Sequence, residues 1–155
     1  MSIWPFKKKY PPKDHLKFDG KWAILQGVVE GRPAILTRRD LKELKDIIGH
    51  PEFPYQVGIA TPCNNPDSNG FPGKDELIQL QQIEHRITPL LQQNNESILV
   101  AMLTTNNMRE LIYYTSNPEG VKVKFEQLKA ETTTHELQMI IQVDKDWSIF
   151  KRFAM

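Results

Sequence analysis

The sequence holds one cysteine, Cys63, among its 155 residues. That excludes an internal disulfide and any metal cluster built from cysteine. It has no long hydrophobic run. The longest, residues 98–103, falls far short of the roughly 20 apolar residues that a membrane-spanning helix needs. Net charge is nearly absent too, at +1, so no overall field recruits nucleic acid or an acidic partner. None of the four histidines stands three to five residues from another histidine or from Cys63, so the local spacing of a zinc site is missing. The glycines of 69–73 are scattered, and Lys74-Asp75 follows them where a phosphate loop needs lysine before serine or threonine. No serine occupies a nucleophile elbow. Asn64, Asn65, Asp67 and Asn69 superficially resemble a calcium loop, but Glu76 lies at the wrong offset for the bidentate ligand. The sequence therefore leads us to expect no metal and no cofactor.

What remains is an ordinary globular composition, 39% hydrophobic and 25% charged, at a length that suits one domain. Charge is spread unevenly. Residues 1–21 carry six lysines against Asp14 and Asp19, a balance of +4, and the rest carries −3. Residues 1–20 are rich in lysine and proline and read as an irregular basic arm, expected to be a solvated terminus; the alternative is that Trp4 and Phe6 graze an anionic membrane. The arm has no apolar stretch of signal-peptide length, so the expected location is cytoplasmic.

From Lys21 on, the pattern becomes regular. Residues 21–29 and 34–38 are β-prone and flank a turn at Gly31, which predicts a hairpin. Asp40 stands as an N-cap before Leu41, Leu44, Ile47 and Ile48, the face of a short helix. Residues 55–61 read as a strand. Leu77, Leu80, Ile83, Ile87 and Leu90 recur at helical spacing over about 74–93, with Pro89 expected to kink or end that helix. Residues 97–105 and 109–115 are strands joined by Asn106-Asn107, residues that tolerate the positive φ of a tight hairpin. Asn117-Pro118 opens the next helix, with Val121, Phe125 and Leu128 as its buried stripe. Leu137, Met139, Ile141 and Val143 alternate with Gln138, Ile140 and Gln142 as a half-buried strand. Asp146 is expected to cap a short terminal helix that turns Trp147 and Phe150 inward.

The expected class is α+β. Residues 55–143 read β-α-β-β-α-β, the order of a ferredoxin-like antiparallel sheet, with the hairpin and short helix of 21–54 added before it and the helix of 144–155 after it. The domain thus spans 21–155. A ferredoxin-like sheet leaves one face to water, but 97–105 and 109–115 are apolar on both sides. By simple alternation Ile98, Val100 and Met102 oppose Leu99, Ala101 and Leu103. Leaving three such side chains bare would forfeit on the order of 1.5–3 kcal/mol each. The open face must be covered by the early hairpin and its helix, by the terminal helix, or by a second copy in a homodimer.

Five residues stand out as weak candidates for ligand or partner binding: His50, Cys63, Arg109, Glu110 and Tyr114. His50 and Cys63 flank a strand, the raw material of a Cys-His pair. Arg109-Glu110 beside Tyr113 and Tyr114 resembles the base-stacking face of an RNA-binding sheet, although the basic-Gly-aromatic pattern is missing. No residue is assigned a catalytic role.

Gly70-Phe71-Pro72 followed by Glu76, Leu80 and Ile83-Glu84 resembles the Gly-Leu-Pro-then-Ile-Glu helix of an uncharacterised bacterial group, domain-of-unknown-function family 695. Residues 99–105 with 109–115, and 144–150, are similar to further segments of that family, and the likeness covers about 20–153. It implies an α+β domain with no established activity. Some relatives carry a domain similar to regulator of ribonuclease activity B, an inhibitor of a nuclease, which makes an inhibitor-like role part of the expectation.

The expected function is a non-catalytic, protein-binding or regulatory module, with another protein as partner. The alternatives are an enzyme or small-ligand binder with a pocket near the 62–73 loop, and an RNA-binding domain, against which the near-zero charge argues.

Overall fold

The computed structural model describes residues 9–17 and 20–154. Trp4 and Phe6 of the expected arm lie outside the described residues. The chain forms β1 (Trp22–Val29), β2 (Arg32–Arg39), α1 (Leu41–Leu44), β3 (Tyr55–Pro62), α2 (Lys74–Leu91), β4 (Ser97–Thr105), β5 (Met108–Thr115), α3 (Pro118–Glu131), β6 (Gln138–Val143) and α4 (Ser148–Lys151). The fold is α+β. One six-stranded sheet runs in the order β1-β2-β4-β5-β3-β6, with every neighbouring pair antiparallel. The complete order is thus not the four-stranded ferredoxin-like one, because the early hairpin joins the sheet through β2 along β4.

Local chemistry explains where the elements begin and turn. Glu30 and Gly31 both have positive φ, as do Asn106 and Asn107, so each hairpin closes on a two-residue turn whose twist matches its strands. Asp40 accepts a hydrogen bond from the Lys42 amide at the start of α1. Asn117 accepts one from Gly120, with Pro118 in the first turn of α3. Pro89 does not stop α2 at once, and the helix runs on to Leu91. The terminal helix is capped by Asp144 rather than Asp146: its carboxylate accepts from the Ser148 and Ile149 amides at 2.9 and 3.0 Å.

The sheet is covered on both faces by the chain itself. On one, α2 and α3 set Ile83, Ile87, Leu91, Val121, Phe125 and Leu128 against Val57, Ile59, Leu99, Leu111 and Tyr113. On the other, Leu16, Leu44, Ile47, Phe53, Trp147 and Phe150 cover Ile98, Val100, Ala101, Ile112 and Tyr114. One detail departs from simple alternation. A bulge between Leu99 and Ala101 leaves Val100 without a cross-strand partner on β5. Val100 and Ala101 therefore share the second face, while Leu99 and Met102 both belong to the helix face. No helix among the described residues is long and apolar enough to cross a membrane.

Candidate functional site

Strand alternation decides where the five candidate residues point. On β5, Arg109, Leu111 and Tyr113 face the helices, and Glu110, Ile112 and Tyr114 face away. Arg109 and Glu110 therefore act on opposite sides of the sheet. Arg109 reaches α2, forming a two-pronged ion pair with Glu84, and donates to Thr104 Oγ1 at 2.8 Å. Glu110 lies across from Leu103 on β4. Burial pushes its carboxyl above the usual range.

Tyr114 is an anchor of the second face. Its hydroxyl donates to Asp144 Oδ2 at 2.7 Å and accepts from the Phe150 amide at 3.2 Å. Its ring stacks on Trp147 with centroids 4.0 Å apart and an interplanar angle of 8°. Burial and the Asp144 carboxylate push its hydroxyl far up. Tyr113 and Tyr114 are both 0% exposed, so neither offers a ring face on which a base could stack.

His50 and Cys63 stand at opposite ends of β3, separated by an eight-residue strand of about 25 Å. His50 sits between Tyr10 and Phe53. Its Nε2 is 2.7 Å from the Pro11 carbonyl and its Nδ1 accepts from the Glu52 amide at 3.1 Å, so the tautomer with the proton on Nε2 satisfies both contacts. The ring fastens the N-terminal segment to the second face. Cys63 shares its end of the sheet with Arg109 and gives its amide to the Asn107 carbonyl at 2.8 Å. Burial pushes its thiol up, and Glu76 adds to that against the opposing pull of Arg109. A nucleophilic cysteine needs the reverse shift. His50, Cys63 and Arg109 do not converge on one site.

The 62–73 loop is organised by Glu76, a residue that the sequence offered as a misplaced calcium ligand and as part of the family-like motif. Glu76, in the first turn of α2, accepts from the Asn64 and Asn65 amides at 2.5 and 3.1 Å, and lies 2.7 Å from His135 Nε2. Burial pushes its carboxyl up, but the bonds from Asn64, His135 and Asn65 outweigh that and hold it below the usual range. Asp67 closes the rest of the loop by accepting from the Asn69 and Phe71 amides. These carboxylates are consumed by main-chain donors. Among the described residues no group of three acidic, histidine or cysteine side chains is placed to hold a metal.

Among the described residues, two surfaces bear most on binding. A cavity of about 560 Å³ runs between the second half of α2 and the near ends of β1 and β4. Trp22, Pro89, Leu99 and Met102 make its apolar walls, and His85 with the Glu84–Arg109 pair its polar rim. No residue of the 62–73 loop lines it. The second surface is β1, one of the two edges of the sheet; β6, with Ile140 and Val143 exposed, is the other. Ile24 is 75% exposed and Val28 70%, and no charged residue interrupts Trp22–Val29. Nothing local in the sequence marks either surface. Trp22, Glu84 and Met102 meet only through the pairing of distant strands with α2. The one available signal was β1's lack of charge, which reads equally as an interior strand.

A family of unknown function, DUF695, matches residues 20–154, nearly the whole of this arrangement. The chain belongs to DUF695. The match takes in both faces of the sheet, the Glu76 network and the β1 edge, so these are features of the DUF695 domain as this chain builds it. No curated protein and no solved structure matches the chain.

Proposed function

We propose that this DUF695 domain is a non-catalytic binding module of regulatory, inhibitor-like character, and that a strand of a protein partner docks on its β1 edge. The observation that carries this reading is the edge itself: eight residues with no charge and no proline or bulge to blunt it, with Ile24 and Val28 exposed along it. Soluble proteins ordinarily guard such an edge, because its free amides and carbonyls template the addition of another strand. The consumed carboxylates and the raised Cys63 thiol favour binding over chemistry. We read β4-β5-β3-β6, with α2 and α3 on one face, as a ferredoxin-like unit extended by the hairpin. The β-α-β-β-α-β chain order and the all-antiparallel pairing support that kinship. A lone cysteine agrees with work in a reducing, cytoplasmic setting of a bacterial cell.

Affinity capture from native lysate tests the binding role. The intact protein should retain a protein partner in stoichiometric amount, and I24K/V28K, which charges the edge, should lose it. Recovery of no partner by the intact protein counts against the reading.

The cavity beside Trp22 supports a second reading, a small-ligand binder, because its volume lies within the range of small-molecule sites. A thermal-shift screen of apolar and aromatic metabolites decides it. A true ligand raises the midpoint with concentration, and the gain should disappear when Met102→Lys fills the cavity with charge.

A further inference from the structure

We infer that the β1 edge pairs with β1 of a second copy, antiparallel about a two-fold axis at Gln26, to make one continuous twelve-stranded sheet. The inference rests on the reading of β1 as the binding edge and names its occupant. Backbone parity comes first. The Lys21 carbonyl accepts from the Asp40 amide, and the tight turn at Glu30-Gly31 makes Val29 and Arg32 a hydrogen-bonded pair. Odd-numbered residues of β1 therefore spend their main-chain groups on β2, and Trp22, Ile24, Gln26 and Val28 turn theirs outward. A two-fold axis normal to the sheet keeps each side chain on its own face, so only residues of like parity can pair. Centred on Gln26, the pairing sets Ile24 against Val28 of the second copy, twice over. It forms about six main-chain hydrogen bonds and joins the two most exposed apolar side chains of each edge.

The other face agrees with the same register. There Leu25 falls opposite Gly27 of the second copy. A Cβ at Gly27 would meet nothing within 4 Å. Gly27 and its neighbour Ala34 lie in a depression of about 250 Å³ walled by Leu36, Leu103 and Phe153. The exposed Leu25 of one copy thus faces a partly apolar hollow on the other, whose rim also holds that copy's Leu25 and Arg152.

Charge favours this edge pairing over the pairing of β1 with β6. Antiparallel β1 strands bring Lys21 of one copy to the Glu30 end of the other, opposite signs at both ends. The remaining edge, β6, is bracketed by Glu136 and Asp144. Asp144 turns its carboxylate inward to Tyr114 and the start of α4, so Glu136 is the acid that acts at that edge. Pairing β1 with β6 would bring Glu30 to Glu136 and would run on as an open fibre, whereas the β1 pair closes on itself.

Light scattering on the full chain at about 10–200 μM and low salt tests the inference. The intact protein should approach twice the 18.0 kDa chain mass with rising concentration. I24K/V28K sets lysine against lysine at both contacts and should weaken the dimer at least tenfold. I24K/V28E sets lysine against glutamate only in this register and should restore it, with added salt reducing the rescue. Both positions are exposed, and circular dichroism confirms that each variant folds. An intact protein that stays at chain mass throughout overturns the inference. So does an I24K/V28K dimer as tight as the original, or an I24K/V28E chain that fails to recover. A monomer that captures another protein, and loses it in I24K/V28K, overturns the second copy as occupant while leaving the binding-module reading in place.

Discussion

The Tyr114 hydroxyl closes a chain of contacts that no other side chain could. It donates to Asp144, accepts from Phe150, and belongs to a ring lying flat on Trp147, whose Nε1 donates to the Phe53 carbonyl at 2.9 Å. Trp147 holds this place with a left-handed backbone, φ 57° and ψ 38°, a conformation that costs a non-glycine residue energy that the packing must offset. Removing the hydroxyl alone strands the Phe150 amide and takes one donor from Asp144 but keeps the stacked ring. Tyr114→Phe should therefore lower stability by about 1–3 kcal/mol in urea unfolding. Trp147→Ala loses a fully buried indole and leaves a cavity, and should cost about 3–5 kcal/mol. If the order of the two is reversed, the polar network outweighs the packing. Glu110 behaves in the opposite sense. Its carboxyl is raised in the folded protein, so the folded state gains relative stability in acid and loses it as pH rises through the folded value. Glu110→Gln cannot ionise. It should stabilise the protein at pH 7 by about 0.5 kcal/mol, and the gain should shrink toward pH 4. Midpoints measured across that interval check it.

At the scale of the element, Glu76 is the device that ties the 62–73 loop to α2 and to the segment before β6. Its carboxyl is held low, so its contribution is present above the unfolded value near 4 and is lost as pH falls through the folded one. Glu76→Ala leaves two loop amides and His135 without their acceptor. It should cost about 2–4 kcal/mol at pH 7 and speed amide exchange at Asn64 and Asn65, with β4 and β5 unchanged. An exchange pattern that loosened everywhere equally would contradict a local tie. This network also shows where the sequence was legible. Turns were, because Asn106-Asn107, Glu30-Gly31 and Asn117-Pro118 act through their own backbone preferences. The Glu76–His135 contact spans 59 positions, and no spacing rule reaches so far. The bulge at Val100 was hidden for another reason. A strand apolar on both faces reads the same before and after a slip of one residue, so alternation alone could not place Met102 with the helices. The cap of α4 was missed by two residues because Asp144 and Asp146 are equally good caps on paper, and the Tyr114 contact that chooses between them is long-range.

For the whole molecule, the demand that both faces of the sheet be sealed was legible in the doubly apolar strands. Which segments seal the second face was left among three possibilities. Two parts far apart in the chain share the work: Leu16, Leu44, Ile47 and Phe53 from before the core, Trp147 and Phe150 from after it. Asn95 binds the first cover in place, donating to the Lys13 and Leu16 carbonyls at 3.1 and 3.0 Å. The last cover touches β5 through Tyr114 and the first cover through Phe53. Deleting residues 145–155 should therefore bare Tyr114 and Phe53 together, while the face packed by α2 and α3 keeps its cover. The expected product retains its helices and strands by far-ultraviolet circular dichroism. It loses near-ultraviolet aromatic signal, binds a hydrophobic dye, and unfolds over a broadened transition. The same deletion removes Phe153 from the wall of the depression at Gly27, so light scattering should also show a weaker β1 dimer. A truncated chain that still unfolded sharply at the original midpoint would mean that the second face is sealed by its N-terminal cover alone.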